Sequence, residues 1–457
     1  MIRIFLTLFL FVSCLEAQTK ISVPYTRFTL KNGLNVILHV DRTTPMVSVN
    51  TWYHVGSGYE KPGRTGFAHL FEHLMFEGSK DVPEGMFDQW LEAAGGNNNG
   101  STNTDRTNYF EDLPSNALDL ALFLDSDRMG YLLTNMSEAT VNGQRDVVKN
   151  ERRQSYENRP YGMAFLMLDD NLFPPNHPYH WPTIGSMADL SAASVEDVKE
   201  FFRTYYAPNN ASLCIAGDID IEKTKQMVEK WFNEIPAGKP VPPQDRTIPV
   251  LNEEKRLTIE DNVQLPRLYM AWISPASFTA GDAEMDMLSN ILAGGKNSRL
   301  YKRLVYDLQI AQDVSAFQNS QKLISSFIVV ATARSGHTLQ ELEKIIQEEI
   351  DKIKNEPPSE REMQRTKNQF EMSFYDRLEN IGSFGGKADQ LNNYFYYTGN
   401  PDYFNEDLSR YFALDGTDIS AMAQTYLKDN GRVVLSIVPK NKMELSAGGP
   451  LTSTEGK

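Results

Sequence analysis

The chain of 457 residues carries 45 Lys and Arg against 60 Asp and Glu, a formal net charge of −15, with 41% apolar and 11% aromatic residues. That length exceeds one ordinary domain and suits two of about 200 residues, each with its own core. The composition excludes a disordered or low-complexity chain, and an acidic surface without a long basic stretch argues against nucleic acid or an anionic membrane as the main partner.

Residues 1–17 have the layout of a signal peptide: Arg3, a short apolar run from Ile4 to Val12, and Leu15-Glu16-Ala17 before a cut at Gln18. The run is too short for a permanent membrane span, so the expected destination is the periplasm or the exterior. A minor alternative is a lipoprotein signal at Phe11-Val12-Ser13-Cys14, and only a lipidated Cys14 would tie the chain to a membrane. Beyond the signal, Cys214 is the single cysteine; it lies in the apolar run Leu213-Cys214-Ile215-Ala216, as a buried structural thiol does.

The first domain is expected over 18–235. Strand-like runs at Thr29 to His39, turning at Asn32-Gly33, and at Val47 to His54 precede an apolar helix from about Gly66 to Phe76. That helix contains His69-Leu70-Phe71-Glu72-His73. Residues four apart share a helix face, so both imidazoles project together with Glu72 beside them. Two neutral imidazoles at this spacing suit a zinc ion with room for a carboxylate and a water, in the inverse order of the H-E-x-x-H motif. With Phe67, Leu70, Phe71, Leu74 and Met75 making the helix apolar nearly all round, burying these polar groups without a bound ion would be costly.

Gly56-Ser57-Gly58 with Glu60, Gly66 to His73, and Phe76-Glu77-Gly78 resemble the active-site helix of the pitrilysin/insulinase family of zinc metallopeptidases, which includes the mitochondrial processing peptidases. Gly95-Gly96 with Asn99, Thr102, Asp105, Thr107 and Tyr109 resembles that family's substrate-binding edge strand, and His177-Pro178-Tyr179 with Ile184-Gly185 a later loop. The resemblance covers nearly the whole mature chain. It implies one zinc ion per chain held by His69, His73 and Glu151, with Glu72 as general base. It also implies that an extended peptide adds a strand beside Asn99, Gly100, Ser101 and Thr102. Val147 and Val148, four and three residues before Glu151, place Glu151 on an inward side. The family's usual glutamate seven residues before the third ligand is Gln144 here, whose amide could orient Glu151 or Glu72. His177 and His180 sit in a proline-rich loop and make poor ligands.

Asp197-Val198, Thr204-Tyr205 and Asn209 recur 221 residues later as Asp418-Ile419, Thr425-Tyr426 and Asn430, and Leu213 to Ile215 are matched 220 residues on by Val433 to Leu435. Between the copies, residues 236–249 hold five prolines and form the expected linker. The second domain, 250–446, opens like the first: strands at Leu257 to Ile259 and Leu268 to Ile273 precede a helix from Asp282 to Ala293. The fold class is therefore α+β: two homologous domains, each an antiparallel or mixed sheet with helices on one face. Residues 447–457 are expected to be a disordered tail.

The second half has no comparable metal site, its one histidine being His337. Single-chain relatives grip substrate there with an arginine and a tyrosine, where this chain has Val305 and Gln312. The resemblance thus implies the zinc-bearing subunit of a two-subunit endopeptidase, with a homologous partner supplying arginine and tyrosine. Two alternatives stay open: a non-catalytic structural or assembly subunit, and an envelope peptide-binding protein.

Overall fold

A computed structural model describes residues 20–454; the signal sequence and Cys14 lie outside them. In the first half β1 (Thr26–Thr29), β2 (Asn35–Val40), β3 (Met46–Tyr53), β4 (Asn97–Thr102), β5 (Thr107–Pro114) and β6 (Ala211–Gly217) form a sheet in the order β1-β2-β6-β3-β5-β4. In the second, β7 (Lys255–Asp261), β8 (Arg267–Ser274), β9 (Ala311–Asn319), β10 (Ser325–Ala333) and β11 (Arg432–Pro439) give β7-β11-β8-β10-β9. Only β2/β6 and β7/β11 run parallel, so both sheets are mixed. At the first turn Gly33, with φ +92°, supplies the left-handed residue that brings the chain from β1 into β2.

The repeat is visible as structure. Helix Val195–Tyr205 starts at a capping box between Ser194 and Asp197 and leads into β6. Helix Gly416–Tyr426 starts at one between Asp415 and Asp418 and leads into β11. The aspartates 221 residues apart are thus helix starts, each tying down otherwise unpaired N–H groups.

Helices of each half cover one face of its sheet, and a helix from the opposite half covers the other. In β2 and β6, Val36, Leu38, Leu213 and Ile215 point into the first core, while Ile37, Cys214 and Ala216 pack with Ala388 and Leu391 of the second half. In β8, Met270 and Trp272 join the second core, while Tyr269 and Ala271 meet Ala164, Met167 and Leu168 from the first half. Successive side chains on a strand face opposite sides, so strands covered on both faces become continuous apolar runs. Helices Lys387–Thr398 and Ala164–Leu172 are the exchanged elements.

Polar groups seal this exchange. Asp389 Oδ1 accepts from Trp52 Nε1 at 2.9 Å and Asn108 Nδ2 at 3.0 Å, and Asn392 Nδ2 donates to the Asn50 carbonyl at 2.8 Å. Residues 236–254 carry no strand or helix, yet Gln244 Nε2 donates to the Gly58 carbonyl at 2.9 Å and holds this segment against the first half. The expected disorder of 447–457 is corrected over its first part. Thr258 N donates to the Pro450 carbonyl at 2.9 Å, and Thr452 N to the Thr258 carbonyl at 2.8 Å. The chain end thereby satisfies backbone groups on the outer edge of β7. No described helix is long and apolar enough to cross a membrane.

Candidate metal centre

The histidine helix, Phe67–Leu74, begins at Gly66 (φ +90°), where Glu60 replaces a side-chain N-cap. Its carboxylate accepts from Gly66 N at 2.9 Å and Ala68 N at 2.8 Å. Burial pushes the Glu60 pKa up to about 8, opposed by the hydrogen bonds from Ala68, Gly66 and Phe67. Below the helix, Tyr109 Oη donates to the Phe71 carbonyl at 3.2 Å, and the Arg128 guanidinium lies 4.4 Å from the Tyr109 ring centre. Both residues are buried, so the helix rests on a fixed platform.

Glu151 ends a second helix, Glu138–Arg152, which packs against the first and continues into a π-helical turn at Arg153–Glu157. Its Oε2 stands 3.6 Å from His69 Nε2 and 3.3 Å from His73 Nε2. The three side chains offer donor atoms within 4.8 Å of one another, the only such His/Cys/Asp/Glu group among the described residues. Desolvation lowers the His69 pKa and keeps its imidazole neutral, as a metal ligand must be. The hydrogen bond from His73, opposed by partial burial, holds Glu151 below the usual carboxylate range. His69 Nδ1 is buried without a hydrogen-bond partner, and the Glu151 side chain remains 39% exposed. Two imidazole nitrogens and one carboxylate converging from a buried floor, open on one side, fit a zinc ion with a position left for a further ligand.

The inward side inferred for Glu151 needs one correction. Val148 is fully buried, but Val147 is 46% exposed. A residue four before Glu151 shares its face, and that face looks along the open side of the site rather than into the core. Gln144 also differs from expectation: its amide donates to Glu77, not to Glu72 or Glu151. Seven residues put Gln144 about 10 Å further along the helix, opposite the far end of the histidine helix where Glu77 lies.

A cavity of about 430 Å³ opens over the centre, lined by His69, Glu72 and Glu151 together with Ser101 and Thr102. Asn99 and Gly100 do not line it. Asn99 is exposed, its Oδ1 accepting from Gly100 N at 2.8 Å, and Gly100 is buried behind the strand. A Cβ on Gly100 would sit 3.1 Å from Phe76 and Tyr109 and 3.2 Å from Glu72 Cγ, so the glycine makes room for the Glu72 side chain. β4 is the outermost strand of its sheet. Its edge is available to a further strand.

Several lining residues were not singled out in the sequence. Tyr156 and Asp169 face the cavity from the first half, and Asn319, Ser320 and Gln321 reach it from the end of β9. Burial pushes the Asp169 pKa up to about 8. No local pattern marks these positions, because chain segments distant in sequence bring them together. This chain therefore contributes a phenol to the cavity, but no arginine among its described lining residues. Val305 packs against the second core, and Gln312 is exposed on β9. The helix Asp282–Ala293 carries no histidine, and His337 lies 3.5 Å from Glu341 instead. His180 likewise faces Asp170, at 3.3 Å.

Comparison with known proteins agrees with this arrangement. Residues 35–176 match the family model described as insulinase (peptidase family M16), and residues 192–370 match the peptidase M16 inactive domain. A zinc protease, PqqE, of Helicobacter pylori is 30% identical over 422 residues, spanning 90% of this chain and 92% of the relative. The chain belongs to peptidase family M16. Among solved structures, a protease from Helicobacter pylori superposes with a TM-score of 0.85 at 28% identity, over 91% of this chain and all of that one. Another M16 relative is a probable mitochondrial-processing peptidase subunit beta of Arabidopsis thaliana, 24% identical over 92% of this chain and 79% of its own. The first half of the periplasmic protease PqqL of Escherichia coli shares the fold, with a TM-score of 0.76 at 18% identity, over 94% of each chain.

Proposed function

We propose that this chain is a zinc-dependent endopeptidase of peptides or unfolded polypeptide segments and the metal-bearing subunit of a two-subunit enzyme. One observation carries the reading: two imidazole Nε2 atoms converge on the Glu151 carboxylate in a cavity that Glu72 also lines. His69, His73 and Glu151 would hold one zinc ion, which when bound supplies Lewis-acid activation of water and carbonyl. Glu72 holds the proton taken from the attacking water on its carboxylate and returns it to the leaving amine. The extended substrate lies along the β4 edge, Ser101 and Thr102 nearest the reacting bond. Asn99 keeps the strand's small-residue stretch in register by closing on Gly100 N.

The absence of arginine from the described cavity wall favours a homologous partner that supplies it. Export through residues 1–17 is part of the same proposal, and among the fold relatives PqqL is described as periplasmic. The test compares the wild-type chain with Glu72→Gln, each with and without a co-expressed partner, for zinc content and peptide hydrolysis. Retained zinc with hydrolysis reduced at least about a thousandfold in Glu72→Gln supports the catalytic assignment. Equal hydrolysis by both proteins removes it and leaves the structural-subunit reading. Equal rates with and without partner overturn the two-subunit reading alone.

A further inference from the structure

A second cavity, of about 490 Å³, lies at the seam between the halves and shares no lining residue with the metal site. Its walls come from three parts of the chain: His54 and Tyr59 of the first half, Arg246 of the connecting segment, and Lys322, Phe395 and Tyr396 of the second. We propose that this cavity binds an oxyanion, a carboxylate or phosphate joined to a planar ring, seated between Lys322 and Arg246.

Charge decides the class of ligand. In a chain with fifteen more acidic than basic side chains, this cavity is lined by two cations and no carboxylate. Lys322 Nζ lies 3.6 Å over the Tyr396 ring and makes no hydrogen bond or ion pair to a carboxylate among the described residues. Asp105, the acid that acts on Lys322, is already engaged. It accepts from Tyr179 Oη, from Lys322 N at 2.9 Å and from Tyr397 Oη at 3.4 Å. Arg246 is exposed and also without an ion pair among the described residues, and its neighbour Asp245 accepts from Thr247 N at 2.9 Å and Thr247 Oγ1 at 2.7 Å. Asp105 offsets the ammonium through space but leaves its N–H groups without an acceptor among the described residues, and an anion bound between Lys322 and Arg246 would supply one to both cations. Consistent with that, burial, opposed by Asp105 and reinforced by Arg246, lowers the Lys322 pKa to about 8.

The aromatic walls decide the rest. His54 and Tyr396 lie 4.6 Å apart between ring centres, and His54 and Phe395 6.4 Å. Lys322 already covers one face of Tyr396 and the Arg27 guanidinium lies 4.4 Å from the Phe395 ring centre, so these rings form an apolar wall beside cations, a setting that accepts a ring carried by the anion. The connecting segment closes one side, fastened through Gln244 to the Gly58 carbonyl, so Arg246 is presented by an anchored strap.

The test is calorimetric titration of the zinc-loaded full chain with phenyl phosphate, with 3-phenylpropionate and with inorganic phosphate. Saturable binding of one ring-bearing anion, stronger than inorganic phosphate, is expected, and the tighter of the two identifies phosphate or carboxylate as the preferred group. Arg246→Gln, on an exposed position, and Lys322→Gln should each weaken it about tenfold, the loss of one charge-assisted contact. Undiminished binding in Arg246→Gln overturns the proposal, since an anion held at the zinc would survive that change. So does the absence of saturable binding up to about 10 mM, the weakest affinity a specific site of this kind would show.

Discussion

Arg152 donates from Nη1 to the carbonyl oxygen of Gly185, and by that bond joins the helix that carries Glu151 to the loop that abuts the histidine helix. A Cβ on Gly185 would lie 2.4 Å from Gly66 Cα, so Gly185 and Gly66 meet backbone to backbone at the start of the histidine helix. Arg152 is fully buried, and its Nε also reaches Glu157 at 3.2 Å. One buried guanidinium and one close glycine contact thus add to the direct packing of the two helices in placing His69, His73 and Glu151.

Replacing Arg152 with Met should destabilise the chain by about 3 kcal/mol, because a buried carbonyl and a carboxylate lose their donor. Zinc affinity should fall with it, as Glu151 loses its fixed approach. Urea unfolding and zinc titration of the same preparation check both effects.

Gly100→Ala should act on Glu72 and the rings packed beside it. The added methyl would press within about 3 Å of Phe76, Tyr109 and Glu72 Cγ, and a small displacement of Glu72, the proposed proton carrier, should lower turnover about tenfold. Steady-state kinetics beside zinc analysis is the measurement: kcat should drop while zinc content stays that of wild type.

Asp389→Ala should loosen the seam between the halves. Trp52, Asn108 and Gly385 N, the last at 2.8 Å, all donate to this carboxylate. Removing it leaves two buried donors and one half-buried donor unpaired and should cost about 3 kcal/mol. Differential scanning calorimetry should show a lower Tm, with the strongest loss of protection in amide exchange at β3 and helix Lys387–Thr398.

Acid sensitivity should trace in part to Glu362. Burial works to raise its pKa, but the bonds from Arg299 (2.7 and 3.1 Å) and from Ser359 N (2.9 Å) and Oγ (2.8 Å) outweigh it and hold the group at about 2. Its folded pKa lies below the ordinary 4.5, so its contribution is complete above that value and is lost as pH falls toward 2. Arg299→Met should raise the Glu362 pKa and flatten the pH dependence of unfolding across that window. Carboxylate NMR titration and urea melts between pH 5 and 2 read the two effects separately.

Removing zinc should lower the melting temperature without unfolding the chain, since both cores close independently of the site. An ion present at about a thousand times its Kd adds about 4 kcal/mol to stability. Chelation should therefore shift the Tm of wild type and Glu72→Gln alike, and leave that of His73→Ala unmoved.

Much of this protein is written in short-range patterns. The four-residue spacing of His69 and His73 fixes their common helix face, and Ser194 with Asp197, like Asp415 with Asp418, marks helix starts that recur at one offset. Such signals survive in sequence because a helix turn or a cap is decided by residues three or four apart. Val147, exposed beside a buried Val148, shows the limit even there: periodicity gives the face of a helix, not what that face meets.

What only the tertiary structure decided are the contacts between distant segments. Asn319, Ser320 and Gln321 stand in the cavity with His69, some 250 positions away. Helices Ala164–Leu172 and Lys387–Thr398 each cover the sheet of the other half. Gln144 turns to Glu77 instead of Glu151, and the chain end pairs with β7. None of these has a local signature, because apolar burial is indifferent to which surface provides the cover. The sequence by itself determined the candidate metal donors and the duplicated plan; the packing of one half upon the other determined the cavity that opens over them.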